Sequence, residues 1–432
     1  MKAIFLRILH FLARKVVEKH RPFIVGITGT VGKTTTTHFV YDFLHSLYGE
    51  TVYMSPHNYN GEYGLPFTIL GVRSPYSNPF LWLWVFVRGF FRLFDRKYPK
   101  YLVLEYGIDH PGEMASLLAV AKPDVGIILN VSKNHVANFR SFQDYAAEKL
   151  LLADVCGRCI YNADDKVVSE GMSESAKARA VSFSAKKKTA DVHVRSVSAK
   201  IDGITFDVCF GEACATATFP VVGSFQAYNL LPVFALGIEM GRDLHDIVTH
   251  LSDVHPQKGR GSVLKGVKES VIVDGTYNGG FAAMSAGIEY LSELPEEYAR
   301  VFFLGDMREL GPDSEAMHGE IAEKILAANP DTVVLVGDEM RKYVFPSLSE
   351  ALGEKVFCFS SSRVAGSKVR ESVLAIQKPC VIFAKGSQTN IYLEEGIKEF
   401  LFDLRDIDKL CRQSPRWMKI KAHFFDTICA KD

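Results

Sequence analysis

Thr28-Gly29-Thr30-Val31-Gly32-Lys33-Thr34-Thr35-Thr36-Thr37 follows the continuous apolar run Phe23-Ile24-Val25-Gly26-Ile27 and precedes a helical stretch reaching to about Tyr48. A glycine-rich turn between a buried strand and a helix is where a polyphosphate is cradled. Backbone N–H groups at the helix start face the anion, and glycines let the backbone approach it. Thr30, Gly32, Lys33, Thr34 and Thr35 are therefore the candidate nucleotide-binding residues. Lys33 can neutralise terminal phosphate oxygens, and Thr34 can offer its hydroxyl to Mg²⁺. The spacing departs by one position from GxxxxGK[ST], since Ile27 stands where the first glycine belongs and the nearest is Gly26. An incidental glycine turn is the competing reading, and the flanking strand and helix argue against it. The loop predicts a nucleoside triphosphate with Mg²⁺.

Outward from this loop, Tyr101–Leu104 and Val125–Leu129 repeat the theme of a short apolar run followed by a helical stretch. Such alternation predicts a parallel sheet with helices on both faces. From about Ala180 to Val222 the texture changes to apolar–polar alternation, as in Ile204-Thr205-Phe206-Asp207-Val208, which predicts antiparallel strands. A second α/β series follows Pro256–Gly261, with strand candidates Ser270–Val273, Val301–Leu304, Thr332–Val336, Lys355–Phe359 and Cys380–Ala384. The predicted fold class is α/β. A central P-loop domain with a mostly parallel sheet and a small antiparallel appendage precedes a Rossmann-like C-terminal α/β domain. The expected divisions are a basic amphipathic helix over 1–22, the P-loop domain over 23–254, the second domain over 255–402 and a charged tail over 403–432.

The 432 residues carry 50 Lys+Arg against 50 Asp+Glu, and a net charge of zero excludes an overall basic field for wrapping nucleic acid. Hydrophobic residues at 47% and charged residues at 23% describe a globular rather than a disordered chain. Eight cysteines are too sparse for a disulfide scaffold, and the chain reads as reduced and cytoplasmic. Cys156 and Cys159 with Cys209 and Cys214 make a weak four-thiolate zinc pattern, because Cys159 lies in an apolar strand-like run.

Met1–Arg21 places Ile4, Ile8, Leu9, Leu12 and Val16 at helical spacing among Lys and Arg, without the long apolar core of a signal peptide or a span. Phe80-Leu81-Trp82-Leu83-Trp84-Val85-Phe86-Val87, followed by Arg88, is too short to cross ~30 Å of hydrocarbon. Aromatic residues beside arginine suit an interface. Peripheral contact with the inner face of a membrane is one expectation for these two segments, and packing against protein is the other.

Ligands of open α/β sheets lie beyond the carboxyl ends of the strands. Glu105 ends one such strand, and Asn130 to His135 follows another. Glu105 and His135, with Thr34, are thus candidate ligands for a Mg²⁺ that bridges phosphates to a second substrate.

Taken with further segments, these residues resemble the Mur ligase family, the ATP-dependent amide-forming enzymes of peptidoglycan precursor synthesis. The similarity rests on the P-loop, Asn58-Tyr59-Asn60-Gly61-Glu62-Tyr63-Gly64-Leu65-Pro66, Glu105-Tyr106-Gly107 with Pro111-Gly112-Glu113, and Ala146-Ala147-Glu148-Lys149. In the second half it rests on Gly259-Arg260, Asp274-Gly275-Thr276-Tyr277-Asn278, Leu304–Gly311 with His318, and Lys385-Gly386-Ser387. It runs from about residue 23 to 400 and is strongest to the branch that adds D-alanyl-D-alanine to a muramoyl-tripeptide.

The resemblance implies that Lys33, Glu105, His135 and Lys149 are catalytic and that His135 ligates a second Mg²⁺. It implies that Lys149 is carbamylated by CO₂, that Arg260 and Asn278 reach ATP when the domains close, and that Asn58, Asn60, Lys385 and Ser387 serve the substrates. Gly275, Gly280-Phe281 and Gln388 depart from the branch's pattern. Only 22 residues precede the first strand, so the family's UDP-binding domain is expected to be missing. A lipid-linked acceptor, or a partner that supplies the lost grip, is expected in its place. The alternatives are a ligase for another carboxylate and amine, such as a peptide or poly-amino-acid synthetase, and a nucleotide-dependent regulatory protein at the membrane.

Overall fold

The apolar run before the glycine loop becomes strand β1 (Phe23–Thr28), buried along nearly its whole length. Buried parallel strands favour such unbroken apolar runs, because helices cover both faces of the sheet. The computed structural model describes residues 2–56, 59–75, 78–132, 138–201, 203–251, 254–308 and 310–428. The chain divides into two compact units, the first made of Met1–Val197, Thr205–Phe219 and Ala227–Val254, the second of Ser198–Ile204, Pro220–Gln226 and His255–Asp432.

The first unit is built on a nine-stranded sheet. Its further strands are β2 (Val52–Tyr53), β3 (Tyr101–Glu105), β4 (Val125–Ile128), β5 (Arg158–Asn162), β6 (Ala180–Ser184), β7 (Val192–Lys200), β8 (Gly203–Phe210) and β9 (Ala213–Phe219), in spatial order β2-β3-β1-β4-β5-β6-β7-β8-β9. Pairing is parallel from β2 through β7. The connections from β7 to β8 and from β8 to β9 are two residues long, which only antiparallel neighbours allow. Neighbours of β1 pair in register at Gly26↔Leu104 and Gly26↔Gly126, so the ends of β3 and β4 flank the glycine loop.

Helices α1 (Lys2–His20), α2 (Lys33–Tyr48), α3 (Gly61–Leu70), α4 (Pro79–Arg92), α5 (Glu113–Val120) and α6 (Phe142–Val155) pack around these strands. α1 buries Leu9, Leu12, Ala13 and Val16 in the same core as Leu65, Leu70 and Val85 of α3 and α4. The expected basic helix is thus docked on protein along one face. Among the described residues, no helix is long and apolar enough to cross a membrane.

In the second unit, β10 (Ser262–Lys265), β11 (Val271–Asp274), β12 (Ala299–Gly305), β13 (Thr332–Val336), β14 (Val356–Phe359) and β15 (Cys380–Lys385) form a sheet in the order β10-β11-β15-β12-β13-β14. Only β10 runs antiparallel. Residues read as a charged tail instead fold into this unit. Helix Pro415–Ile428 buries Phe425 and even Lys421, because their partners lie inside the same unit.

The cysteine reading needs one correction. Cys209 and Cys214 flank the two-residue β8–β9 turn and are joined in a disulfide, so not every thiol is reduced. Cys156 and Cys159 are buried thiols, and no group of three or more potential metal-binding side chains occurs among the described residues.

Candidate active site

The glycine loop leaves β1 at Thr28 and enters α2 at Lys33, with Gly29 at φ 154° and Gly32 at φ 87°. A Cβ at Gly32 would lie 2.4 Å from Oδ1 of Asn229, so both the backbone angle and the neighbour require glycine there. Asn130, just beyond β4, holds the loop from its other side. Its Oδ1 accepts from Val31 N at 2.8 Å, its Nδ2 donates to Val31 O at 2.8 Å, and its carbonyl accepts from Thr30 N at 2.9 Å. Lys33 Nζ donates to the carbonyls of Gly29 at 2.8 Å and Thr30 at 3.1 Å, which keeps its charge over the loop. Thr34 and Thr35 are buried at the start of α2.

Glu105, at the end of β3, is also buried. Its Oε2 accepts from Thr34 Oγ1 at 3.0 Å and its Oε1 from Asn60 Nδ2 at 3.1 Å. Asn60 sits there because it precedes the first turn of α3 and packs against Gly107, where a Cβ would come within 3.0 Å of it. A small pocket beside Glu105 is lined by Thr34, Thr37, His38, Ser55 and Tyr59. Sequence reasoning did not assign His38, Ser55 or Tyr59 a role, and it missed the clamp made by Asn130.

Lys149 projects from α6, a helix capped by Ser141 accepting from Asp144 N. The side chain is 1% exposed, lies over the Tyr145 ring at 4.9 Å and donates to Gly29 O at 3.1 Å. Burial pushes its pKa well below the ordinary lysine range, the nearby Lys33 charge pushes it further, and Asp109 and Glu105 pull the other way. Burial and the Lys33 charge thus weaken the ammonium form at this position. Lys33, Thr34, Glu105, Asn60 and Lys149 converge on one loop. His135 and Asn58 lie outside the described residues. The Thr34 hydroxyl and the Glu105 carboxylate are hard oxygen donors in contact with one another, a set that suits Mg²⁺.

In the second unit, the loop after β11 carries Asn278. Asp274 Oδ1 accepts from Thr276 N at 2.9 Å and Thr276 Oγ1 at 2.6 Å, while burial raises its pKa. Lys385 Nζ donates to the carbonyls of Gly275 at 3.2 Å and Asn278 at 2.7 Å. Burial, then the charge of Arg260, lowers its pKa to about 8. Arg260 lies over the Tyr277 ring at 4.2 Å. Asn278 Oδ1 accepts from Gly279 N at 2.8 Å. Ser387 N donates to Asp306 O at 3.0 Å, and its Oγ accepts from Arg308 N at 2.8 Å. Lys385 and Ser387 thus brace this unit's own loops.

His318 does the same. Its Nδ1 lies 2.8 Å from Ser314 O and its Nε2 accepts from Met307 N at 3.2 Å, which assigns the neutral Nδ1–H tautomer. Arg412, read from the sequence only as part of the tail, donates to Thr276 O and Tyr277 O and pairs with the buried Glu394.

Known proteins share this fold. The Mur ligase middle domain matches residues 27–237, and the Mur ligase glutamate ligase domain matches residues 259–387. The UDP-N-acetylmuramoyl-tripeptide–D-alanyl-D-alanine ligase of Escherichia coli K12 is 26% identical over 369 residues, 85% of this chain and 74% of its own length. The enzyme of the same name from Mycobacterium bovis is 29% identical over 73% of this chain, which spans 58% of the mycobacterial protein. The MurF structure from Acinetobacter baumannii superposes with a TM-score of 0.74 at 22% identity, covering 90% of this chain and 79% of that one. The ADP complex of Thermotoga maritima MurF gives a TM-score of 0.74 at 22% identity, covering 94% and 84%. With both family domains present in order, and the glycine loop, Glu105 and Lys149 assembled within the first, the chain belongs to the Mur ligase family.

Proposed function

We propose that this chain is an ATP-dependent, ADP-forming carboxylate–amine ligase of peptidoglycan precursor synthesis that adds D-alanyl-D-alanine to a muramoyl peptide. The observation that carries the reading is the meeting of Lys33, Thr34, Glu105 and the buried amine of Lys149 at one phosphate loop. A carboxylate oxygen of the acceptor attacks the γ-phosphorus, the bond to the β–γ bridging oxygen breaks, and ADP leaves. The amine then attacks the acyl carbon, loses its proton, and inorganic phosphate departs with its bonding electrons.

Lys33 and the loop N–H groups hold the transferring phosphoryl charge in a preorganised site, the effect that dominates such reactions. Thr34 and Glu105, together with His135, would hold Mg²⁺, which would supply charge neutralisation to the transferring phosphate. Carbamylation of Lys149 would supply an anion near the metal-binding carboxylate. Burial, which weakens the ammonium form, helps this addition, since the neutral amine is the form that adds CO₂. Asn60, fixed on Glu105, orients the acceptor side, and Arg260 and Asn278 belong to nucleotide binding. The acceptor is a soluble or lipid-linked muramoyl peptide, and membrane contact is peripheral.

The test is ADP release with UDP-muramoyl-tripeptide and a panel of amines. Release should require both the acceptor and D-alanyl-D-alanine, and Lys33→Ala should abolish it. Product formation by that variant at the wild-type rate would refute the site, and amine-independent hydrolysis would refute the ligase reading.

A further inference from the structure

α4 is apolar over most of its circumference, with Arg88 and Arg92 as its charged residues. Val85 and Gly89 are buried and Trp82 packs against Phe5, Tyr63 and Phe67, so the inner face is occupied by α1 and α3. The outer face is not covered. Phe80, Leu83, Trp84, Val87, Phe91 and Phe94 recur at helical spacing and are exposed by 83, 65, 49, 47, 65 and 61%. α1 adds Ile4, Ile8 and Phe11, at i, i+4 and i+7, also exposed. An exposed apolar patch of this kind marks an interaction surface.

What covers it is indicated by charge. The α1 stripe continues past Phe11 as Lys15 and Lys19, and α4 and the turn after it add Arg88, Arg92 and Arg96. From residue 79 to 94 there is no acidic residue, and the flanking Asp95 pairs with Arg92. Glu18, the one acid on α1, is taken up by Arg14 and Lys15. Arg88 lies over the Trp84 ring at 5.4 Å and Lys19 over the Phe94 ring at 4.5 Å, so cations stand directly above exposed aromatics. Where the two helices end, Lys19, His20, Arg21, Arg96 and Lys100, with Asp95 held by Arg92, line an open recess of about 580 Å³ floored by Tyr98.

We infer that the outer face of α1 and α4 docks in the plane of an anionic bilayer, with the aromatic stripe among the acyl chains and a lipid phosphate in the recess. Aromatic side chains at headgroup depth beside Lys and Arg are the chemistry of such a surface. α1 also holds α3 through His10 Nε2 to Glu62 O at 2.8 Å, two residues from the Asn60 that donates to Glu105. The bilayer would thus lie one helix layer away from α3, the helix that begins the acceptor side of the site. The inference deepens the proposed peripheral contact and rests on it.

The full-length chain is floated with vesicles of phosphatidylcholine alone and of phosphatidylcholine with phosphatidylglycerol, at low and high salt. Binding is expected only to the anionic vesicles, weakened by salt. Trp84→Glu with Phe91→Glu should lower it at least tenfold, and Lys19→Glu with Arg96→Glu about tenfold or more. A soluble wild-type chain with both vesicles, or unchanged flotation of either double variant, would overturn it. So would a wild-type dimer that Trp84→Glu dissociates, because a second copy would then cover the face. ADP release by Trp84→Glu should stay at the wild-type rate, so failure of membrane docking and failure of the ligase reading are read separately.

Discussion

Replacing Arg412 by Met tests whether a buried ion pair sets the loop of the second unit that is proposed to bind nucleotide. Arg412 Nε and Nη2 pair with both oxygens of Glu394, and Nη1 and Nη2 donate to Tyr277 O at 2.9 Å and Thr276 O at 2.8 Å. The two side chains are 2% and 0% exposed. Burial opposes the guanidinium charge, but the Glu394 carboxylate outweighs it and holds Arg412 charged. Met fills a similar volume yet leaves the Glu394 charge uncompensated, and breaking a buried pair in this way costs about 3–5 kcal/mol.

Lys421 Nζ lies 3.4 Å from Glu394 Oε1 and keeps part of the compensation, so the lower end, about 3 kcal/mol, is expected. For a unit of this size that is a fall in Tm of about 6–12 °C. Calorimetry on the full chain should show it in one transition, and Arg412→Met with Glu394→Leu should recover much of the loss, since no lone charge then remains. With Thr276 and Tyr277 released, the KM for ATP should rise more than kcat falls. A loss below about 1 kcal/mol, or a double variant as unstable as the sum of the singles, would refute the argument.

Other outcomes follow from the same geometry. Lys149→Met should abolish the ¹³C carbamate signal formed from labelled bicarbonate and lower turnover at least about a hundredfold, and full activity would remove Lys149 from the mechanism. Glu105→Gln keeps an acceptor for the Thr34 hydroxyl but loses the charge, so the Mg²⁺ needed for half-maximal rate should rise about tenfold or more; an unchanged Mg²⁺ titration would exclude Glu105 as a ligand. Lys385 has a folded pKa of about 8 against 10.5 when unfolded. Between those values the unfolded chain binds more protons, so this residue makes stability rise with pH there, while below about pH 8 its contribution is flat. Urea unfolding at about pH 7 and about pH 9.5 should show that gain in the wild type and a smaller one in Lys385→Met, and equal slopes would refute it.

What could be read from the amino acids was local and periodic. β1, β13 and β15 announce themselves because strands covered on both faces are apolar runs, and Gly29 and Gly32 announce a loop that needs their backbone angles. β10 did not, because Ser262–Lys265 is short and alternately exposed. The supports of the site were not legible either. Asn130 clamps Val31 across 99 residues, and Arg412 reaches Thr276 across 136, separations at which no spacing rule operates.

The largest surprises run in opposite directions. Lys421 lies in the stretch read as a charged tail, yet its side chain is 0% exposed, because Glu395 and Glu394 meet its charge, while Glu394, also 0% exposed, is met chiefly by Arg412. The apolar run from Phe80 leaves two readings open, a membrane surface or packing against protein, and Phe80 is 83% exposed. A folded chain tolerates a buried charge only where a partner meets it, and a bare aromatic stripe only where something outside the fold meets it. The first condition is fulfilled inside this chain. The second is not, which is why the outer face of α4 calls for a surface beyond the chain itself.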